Sequence, residues 1–166
     1  MKLLLEPVFN NIGYVLSFED CMDLSQESFP GGNPFSEPLR ARGTVSNESG
    51  LVCMRIQIEA PLHFACDRCA KEQQQPFVLN TTHTLVTSVN EEETDDMLLL
   101  DSLQMETQDV ILEDLFLNLP SKLLCREGCE GVCPQCGRDL NEGPCGCKKP
   151  IDPRLAVLQE LLDSTD

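Results

Sequence analysis

The chain of 166 residues carries 41% apolar and only 5% aromatic residues, with no Trp. That is enough for one ordinary core but too few rings for a stacking platform along single-stranded nucleic acid. Its formal net charge of −16 repels phosphate backbones and excludes a generic nucleic-acid binder.

The acidity is local. All twelve Lys and Arg lie outside the stretch 72–121. Into that stretch crowd Glu91, Glu92, Glu93, Asp95, Asp96, Asp101, Glu106, Asp109, Glu113 and Asp114. Met1 to Leu5 opens like a signal peptide, but Glu6, Pro7 and Asn10-Asn11 end the apolar run, and no later run reaches membrane-spanning length. Ten cysteines without a secretory leader indicate a reducing compartment, hence the cytoplasm, where clustered thiols bind metal more readily than they form a disulfide framework.

In chain order, residues 2–5 and 12–18 read as short strands, separated by a Pro/Gly-rich loop at 28–34 from a regular alternating segment. From Leu39, apolar and polar residues alternate to Val45 and again from Val52 to Ile58, with Asn47-Glu48-Ser49-Gly50 between them, which predicts a hairpin. A turn centred on Glu48-Ser49 would set Val45 against Val52, Ala41 against Ile56, Leu39 against Ile58 and Arg42 against Arg55. A second hairpin is expected from 63–65 to 77–89, with Cys66-Asp67-Arg68-Cys69 near its tip. The run 91–96 is too charged to bury and reads as a loop. Thr107 is placed to cap a helix carrying Val110, Ile111, Leu112, Leu115, Phe116 and Leu119, which Pro120 stops. Asp152 and Pro153 start a last helix with Leu155, Leu158, Leu161 and Leu162 on one stripe. The predicted class is therefore α+β: an antiparallel, hairpin-rich sheet, a helix, a small Cys-rich module and a C-terminal helix. The corresponding division is 1–120, with strands over about 2–89, an acidic loop at 90–106 and a helix over about 108–119, then 121–150 and 151–166.

Between the two predicted helices stand Cys125, Cys129, Cys133, Cys136, Cys145 and Cys147. Thiolates two to four residues apart reach one zinc ion because a tight turn brings both sulfurs to the same side. Cys133-Pro134-Gln135-Cys136-Gly137 has that form: Pro134 presets the turn and Gly137 can take a positive φ after the second ligand. Either Cys125/Cys129 or Cys145/Cys147 can close the site, and spacing does not choose between them. The segment has almost no large apolar side chains, so a structural zinc would supply its folding energy. Cys66/Cys69 can complete the same site, bind a second ion, act as a redox pair, or be a plain hairpin tip. Cys21 and Cys53 are read as packing residues.

Arg40, Arg42 and Arg55 are expected on one polar sheet face, with Arg68 and Lys71 near the far tip, as a contact for RNA or another partner. Like charges opposed across strands call for an anion nearby, which an RNA backbone or the chain's own acidic loop would provide. The pairs Glu113/Asp114 and Asp95/Asp96 read as solvated charge, and His63 and His83 as ordinary strand residues. No nucleophile and base occur in a recognisable arrangement, so no catalytic residue is assigned.

The hairpin Cys66-Asp-Arg-Cys69, the helix end Glu113-Asp-Leu-Phe-Leu-Asn-Leu-Pro120, the 125–147 cysteine run with Leu140-Asn141, and Asp152-Pro-Arg-Leu155 follow one another in an order that resembles the YceD-like family of large ribosomal RNA subunit accumulation proteins. The resemblance runs from about Leu39 to the C-terminus. It implies a non-enzymatic cytoplasmic factor in ribosome biogenesis. Its partner would be a ribosomal RNA precursor or a large-subunit assembly particle, met directly or through a basic protein, with no membrane and no small-molecule substrate. A thiol redox or metal-handling protein using Cys66/Cys69 is the competing reading.

Overall fold

The computed structural model describes residues 1–29, 31–88 and 97–147. The acidic run 91–96 and the helix expected from Asp152 lie outside them. The chain is α+β, with Cys clusters towards its C-terminus. Strands β2 (Val15–Met22), β3 (Leu39–Glu48), β4 (Leu51–Ala65), β5 (Glu72–Val86) and β6 (Met97–Leu99) form a sheet in the order β2-β3-β4-β5-β6. The sheet is mixed, because β6 runs parallel to β5. The expected antiparallel hairpins make up the rest of it, from β2 through β5.

The predicted β3–β4 hairpin exists, but its register is shifted by two residues. Val45 faces Met54, Ala41 faces Ile58, and Thr44, not Arg42, faces Arg55. The cause is the turn. Ser49 at φ 57° and Gly50 at φ 94° make a two-residue connection of the kind that matches strand twist, and glycine takes the second position without steric cost. A shift of two leaves the faces unchanged, since side chains alternate with period two. Val52, Met54, Ile56, Ile58, Ala60, Leu62 and Phe64 therefore all lie buried on one side of β4.

β4 runs unbroken through both hairpins, from the β3 turn to the tip at 66–71. Pro61 stands opposite Pro76, which confines the two missing N–H groups to one rung. On the core side, Gly43 leaves room for the Phe18 ring: a Cβ there would also come 2.7 Å from the Arg55 carbonyl oxygen.

Helix α2 (Thr107–Asn118) contributes Val110, Ile111 and Leu115 to the core. Burying each such side chain is worth on the order of 1.5–3 kcal/mol. Glu106, not Thr107, is the N-cap, and Thr107 is the first helical residue. Its hydroxyl is drawn off to Asp20 Oδ2 at 2.5 Å, so it ties α2 to β2 instead of capping. Asp114 is not solvated: it is 3% exposed and holds Thr81 Oγ1 at 2.6 Å and His83 Nε2 at 3.0 Å.

Towards the N-terminus, β1 (Lys2–Leu4) pairs with β7 (Gln104–Glu106), and a short helix α1 (Glu6–Asn10) occupies residues between the two expected strands. The strand expected at 12–18 starts only at Val15. The segment after the acidic run is likewise not all loop, since β6 and β7 lie in it. Cys53 is buried as expected, whereas Cys21 is exposed. Among the described residues no helix is long and apolar enough to cross a membrane.

Candidate metal centres

Two turns of the same design present cysteine pairs. In the first, Cys66 O accepts from Ala70 N at 2.8 Å, with Ala70 at φ 57°. In the second, Cys133 O accepts from Gly137 N at 2.8 Å, with Gly137 at φ 72°. Each turn puts two sulfurs on one side and closes with a left-handed residue. The first is harder to see in the sequence because an alanine, not a glycine, pays for that conformation.

Each pair meets a second pair. Cys66 and Cys69 at the β4–β5 tip gather with Cys125 and Cys129, while Cys133 and Cys136 gather with Cys145 and Cys147. In each set the four sulfurs lie within 4.8 Å of one another. Cys66 Sγ is 3.8 Å from Cys129 Sγ, and Cys69 Sγ is 3.7 Å from Cys125 Sγ. A tetrahedral zinc with Zn–S near 2.3 Å requires sulfurs about 3.8 Å apart, so both donor set and spacing fit. Of the two closing pairs that spacing offered for Cys133/Cys136, the fold brings Cys145/Cys147 to it and gives Cys125/Cys129 to the hairpin.

The chain holds the first set in place from both sides. Asp67 N donates to Leu123 O at 2.9 Å and Asp67 Oδ2 accepts from Leu123 N at 2.6 Å, clipping the segment after α2 to the hairpin tip. Gln75 Nε2 donates to Cys125 O at 3.2 Å. Arg68 Nη1 donates to Cys129 O at 2.6 Å. Gly131, at φ 78°, passes so close to Arg68 that a Cβ would meet its carbonyl oxygen at 2.8 Å.

Asn141, carried by the short 3-10 turn Leu140–Glu142, links the sets. Its Nδ2 donates to Cys129 Sγ at 3.5 Å, and its Oδ1 accepts from Glu130 N at 2.9 Å and Arg126 Nη2 at 2.8 Å. Outer hydrogen bonds of this kind orient ligating sulfurs. Asp139 accepts from Asn141 N at 2.9 Å and binds Lys71 Nζ at 2.6 Å. The Lys71 ammonium, with help from Asn141, holds its carboxyl down at about 2. Nothing in the local sequence marked Asn141 or Asp139 as part of a metal shell; only the Leu140-Asn141 step in the family pattern hinted at it.

The thiols divide within each set. Burial works against ionising Cys66, yet N–H groups of Cys125, Arg68 and Cys69 outweigh it and bring that thiol down to about 6. N–H groups of Cys136 and Gln135 bring Cys133 to about 6. Burial and neighbouring sulfurs push Cys125 up to about 12, and Cys136 with burial does the same to Cys147. Four thiolates at this spacing repel one another, and a divalent cation at the centre removes the repulsion.

The basic residues are differently placed. Register puts Arg40, Arg42 and Arg55 on one sheet face, but Arg42 Nε lies 3.4 Å from Glu19 and Arg55 Nη1 lies 2.8 Å from Glu48. For Arg42 and Arg55 the anions called for are thus glutamates of neighbouring strand positions. Lys71 is engaged by Asp139 and Arg68 by the Cys129 carbonyl. His63 sits 3.3 Å from Glu37 and belongs to neither cysteine set, although it stands only three residues before Cys66.

The chain is similar to the uncharacterized protein YlbN of Bacillus subtilis (strain 168), 26% identical over 134 residues, which are 78% of this chain and 77% of that protein. A shorter stretch is 40% identical over 58 residues to the uncharacterized protein Rv2926c of Mycobacterium tuberculosis (strain ATCC 25618 / H37Rv), covering 35% of this chain and 28% of the relative. No solved structure matches. The YceD family profile matches residues 54–162, a span that takes in most of β4, all of β5 and α2, and all eight clustered cysteines. With more than half its length inside that profile, the chain belongs to the YceD family of large ribosomal RNA subunit accumulation proteins.

Proposed function

We propose that the protein is a non-enzymatic cytoplasmic factor in ribosome biogenesis that supports accumulation of large-subunit (23S-type) ribosomal RNA, with a structural zinc ion in each cysteine set. The observation that carries this is the family match over 54–162, whose description names large-subunit RNA accumulation and no reaction. The donor sets support the structural role of the metal. Four sulfurs saturate a tetrahedral ion and leave no open position for a substrate. Cys66 and Cys69 each lie beside a sulfur of the downstream segment, which favours metal over a two-cysteine redox couple. The partner is a large-subunit precursor particle, met directly or through a basic protein.

The test is to delete the gene and measure large- against small-subunit ribosomal RNA. The expected result is a selective fall in large-subunit RNA, restored by the wild-type chain and not by Cys66→Ser/Cys129→Ser. An unchanged ratio in the deletion strain overturns the assembly role.

A further inference from the structure

Helix α2 buries Val110, Ile111, Asp114 and Leu115 and turns Asp109, Glu113, Phe116 and Leu117 outward. Phe116 is 46% and Leu117 74% exposed. Asp109, Glu113 and Leu117 succeed one another at four-residue spacing, so they line one ridge. The ridge starts acidic and ends apolar.

Where α2 ends, a cavity of about 940 Å³ opens between the helix, the 31–34 loop and the β4–β5 tip. Phe29, Phe64, Phe116, Leu119, Pro120 and Leu123 supply its apolar wall. Phe29 stacks on Phe116 with ring centroids 4.8 Å apart, so the two rings form one continuous part of that wall. Its charged lining is Asp67, Glu72 and Lys122, with His63. A volume of this size accommodates an anchoring side chain and its neighbours.

Charge selects the occupant. No Lys or Arg occurs in 72–121, and the chain as a whole stands at −16. Arg42, Arg55 and Lys71, which could have formed a phosphate-binding face, are paired with the chain's own carboxylates. A nucleic-acid backbone is repelled here, whereas a cationic polypeptide is attracted and steered.

We propose that the outward ridge of α2 and the cavity at its end dock a basic protein segment of the large subunit, an apolar residue entering the cavity while its Lys and Arg neighbours meet Glu113 and Asp109. The proposal rests on the assembly role above and names the class of partner for it.

The test passes two probes over the immobilised full-length, zinc-loaded chain: proteins extracted from purified large subunits, each quantified by mass spectrometry, and protein-free large-subunit RNA. Binding of one or more basic large-subunit proteins is expected, weakened about tenfold or more by Glu113→Lys/Leu117→Ser. A matched pair on other surfaces, Glu6→Lys/Val15→Ser, should leave it unchanged. Equal binding by the α2 variant, equal loss in the matched pair, or retention of RNA in preference to protein would each overturn the docking surface. The deletion assay separates the two readings. A normal RNA ratio in the deletion strain sinks the assembly role, whereas a deletion defect fully restored by Glu113→Lys/Leu117→Ser sinks the docking surface and leaves the role standing.

Discussion

Cys66 Sγ and Cys129 Sγ lie 3.8 Å apart although 63 positions separate them in the chain. A metal at this point joins the tip of the sheet's longest hairpin to the segment that follows α2, and the second set closes a loop entirely within 133–147. Zinc content measured by mass spectrometry should therefore be two ions per chain, falling to one in Cys69→Ser and to one in Cys136→Ser. The sets should also differ in lability. Cys66, Cys69 and Cys129 are buried, whereas Cys136 and Cys147 are exposed. A chelator should release zinc in two phases, with the slow phase missing from Cys69→Ser. A single phase of one ion would refute the two-centre arrangement.

Ala70 occupies a left-handed position at φ 57° that Gly137 fills in the equivalent turn. A side chain there costs about 1–2 kcal/mol, of which the greater freedom of an unfolded glycine returns part. Ala70→Gly should raise stability by about 0.5–1 kcal/mol without altering zinc content. Denaturant midpoints of the two proteins decide the matter, and a lower midpoint for the variant would count against the turn geometry.

His83 hydrogen-bonds Asp114 across the sheet–helix interface, and that bond, with the charges of Asp114 and Glu113, raises its pKa above 6.5 against the opposing effect of burial. A raised folded-state pKa stabilises the protonated protein. The contribution is fully present below the unfolded value and disappears as pH climbs through the folded value. The wild type should thus lose some stability as pH climbs above 6.5 and through the raised folded-state value, a loss that His83→Gln should not show. NMR titration of the imidazole gives the direct measurement, and a midpoint below 6.5 would contradict the geometry.

Gly43 is where the Phe18 ring and the Arg55 carbonyl oxygen crowd the sheet, the latter 2.7 Å from any added Cβ. Gly43→Ala should cost about 2–3 kcal/mol, because the ring and the β3–β4 ladder would both have to shift. Thermal unfolding of the zinc-loaded variant is the check. A change within error would mean that Phe18 can swing away freely.

The period-two alternation of β3 and β4 was readable in the sequence because burial on one face imposes it residue by residue, and the same holds for the apolar side of α2. Register was not readable to better than two residues, since a shift of two preserves every face and only the Ser49-Gly50 backbone selects among them. The arginines were correctly assigned to one face. Their partners Glu48 and Glu19 were missed because the first depends on that same register and the second on the pairing of β2 with β3. Asp114 looked solvated beside Glu113, yet successive helix positions point in different directions and α2 turns this one onto Thr81 and His83.

Sequence alone determined that cysteines at turn-forming spacing would gather into sets able to hold a metal and that the chain's charge opposes a nucleic-acid backbone, because both follow from residue chemistry. Which sulfurs share a centre was decided only by tertiary structure. Cys129 lies closer in sequence to Cys133 than Cys145 does to Cys136, but the Asp67–Leu123 clip and the Arg68–Cys129 bond carry Cys125 and Cys129 to the hairpin tip, and spacing along a chain holds no record of contacts across it.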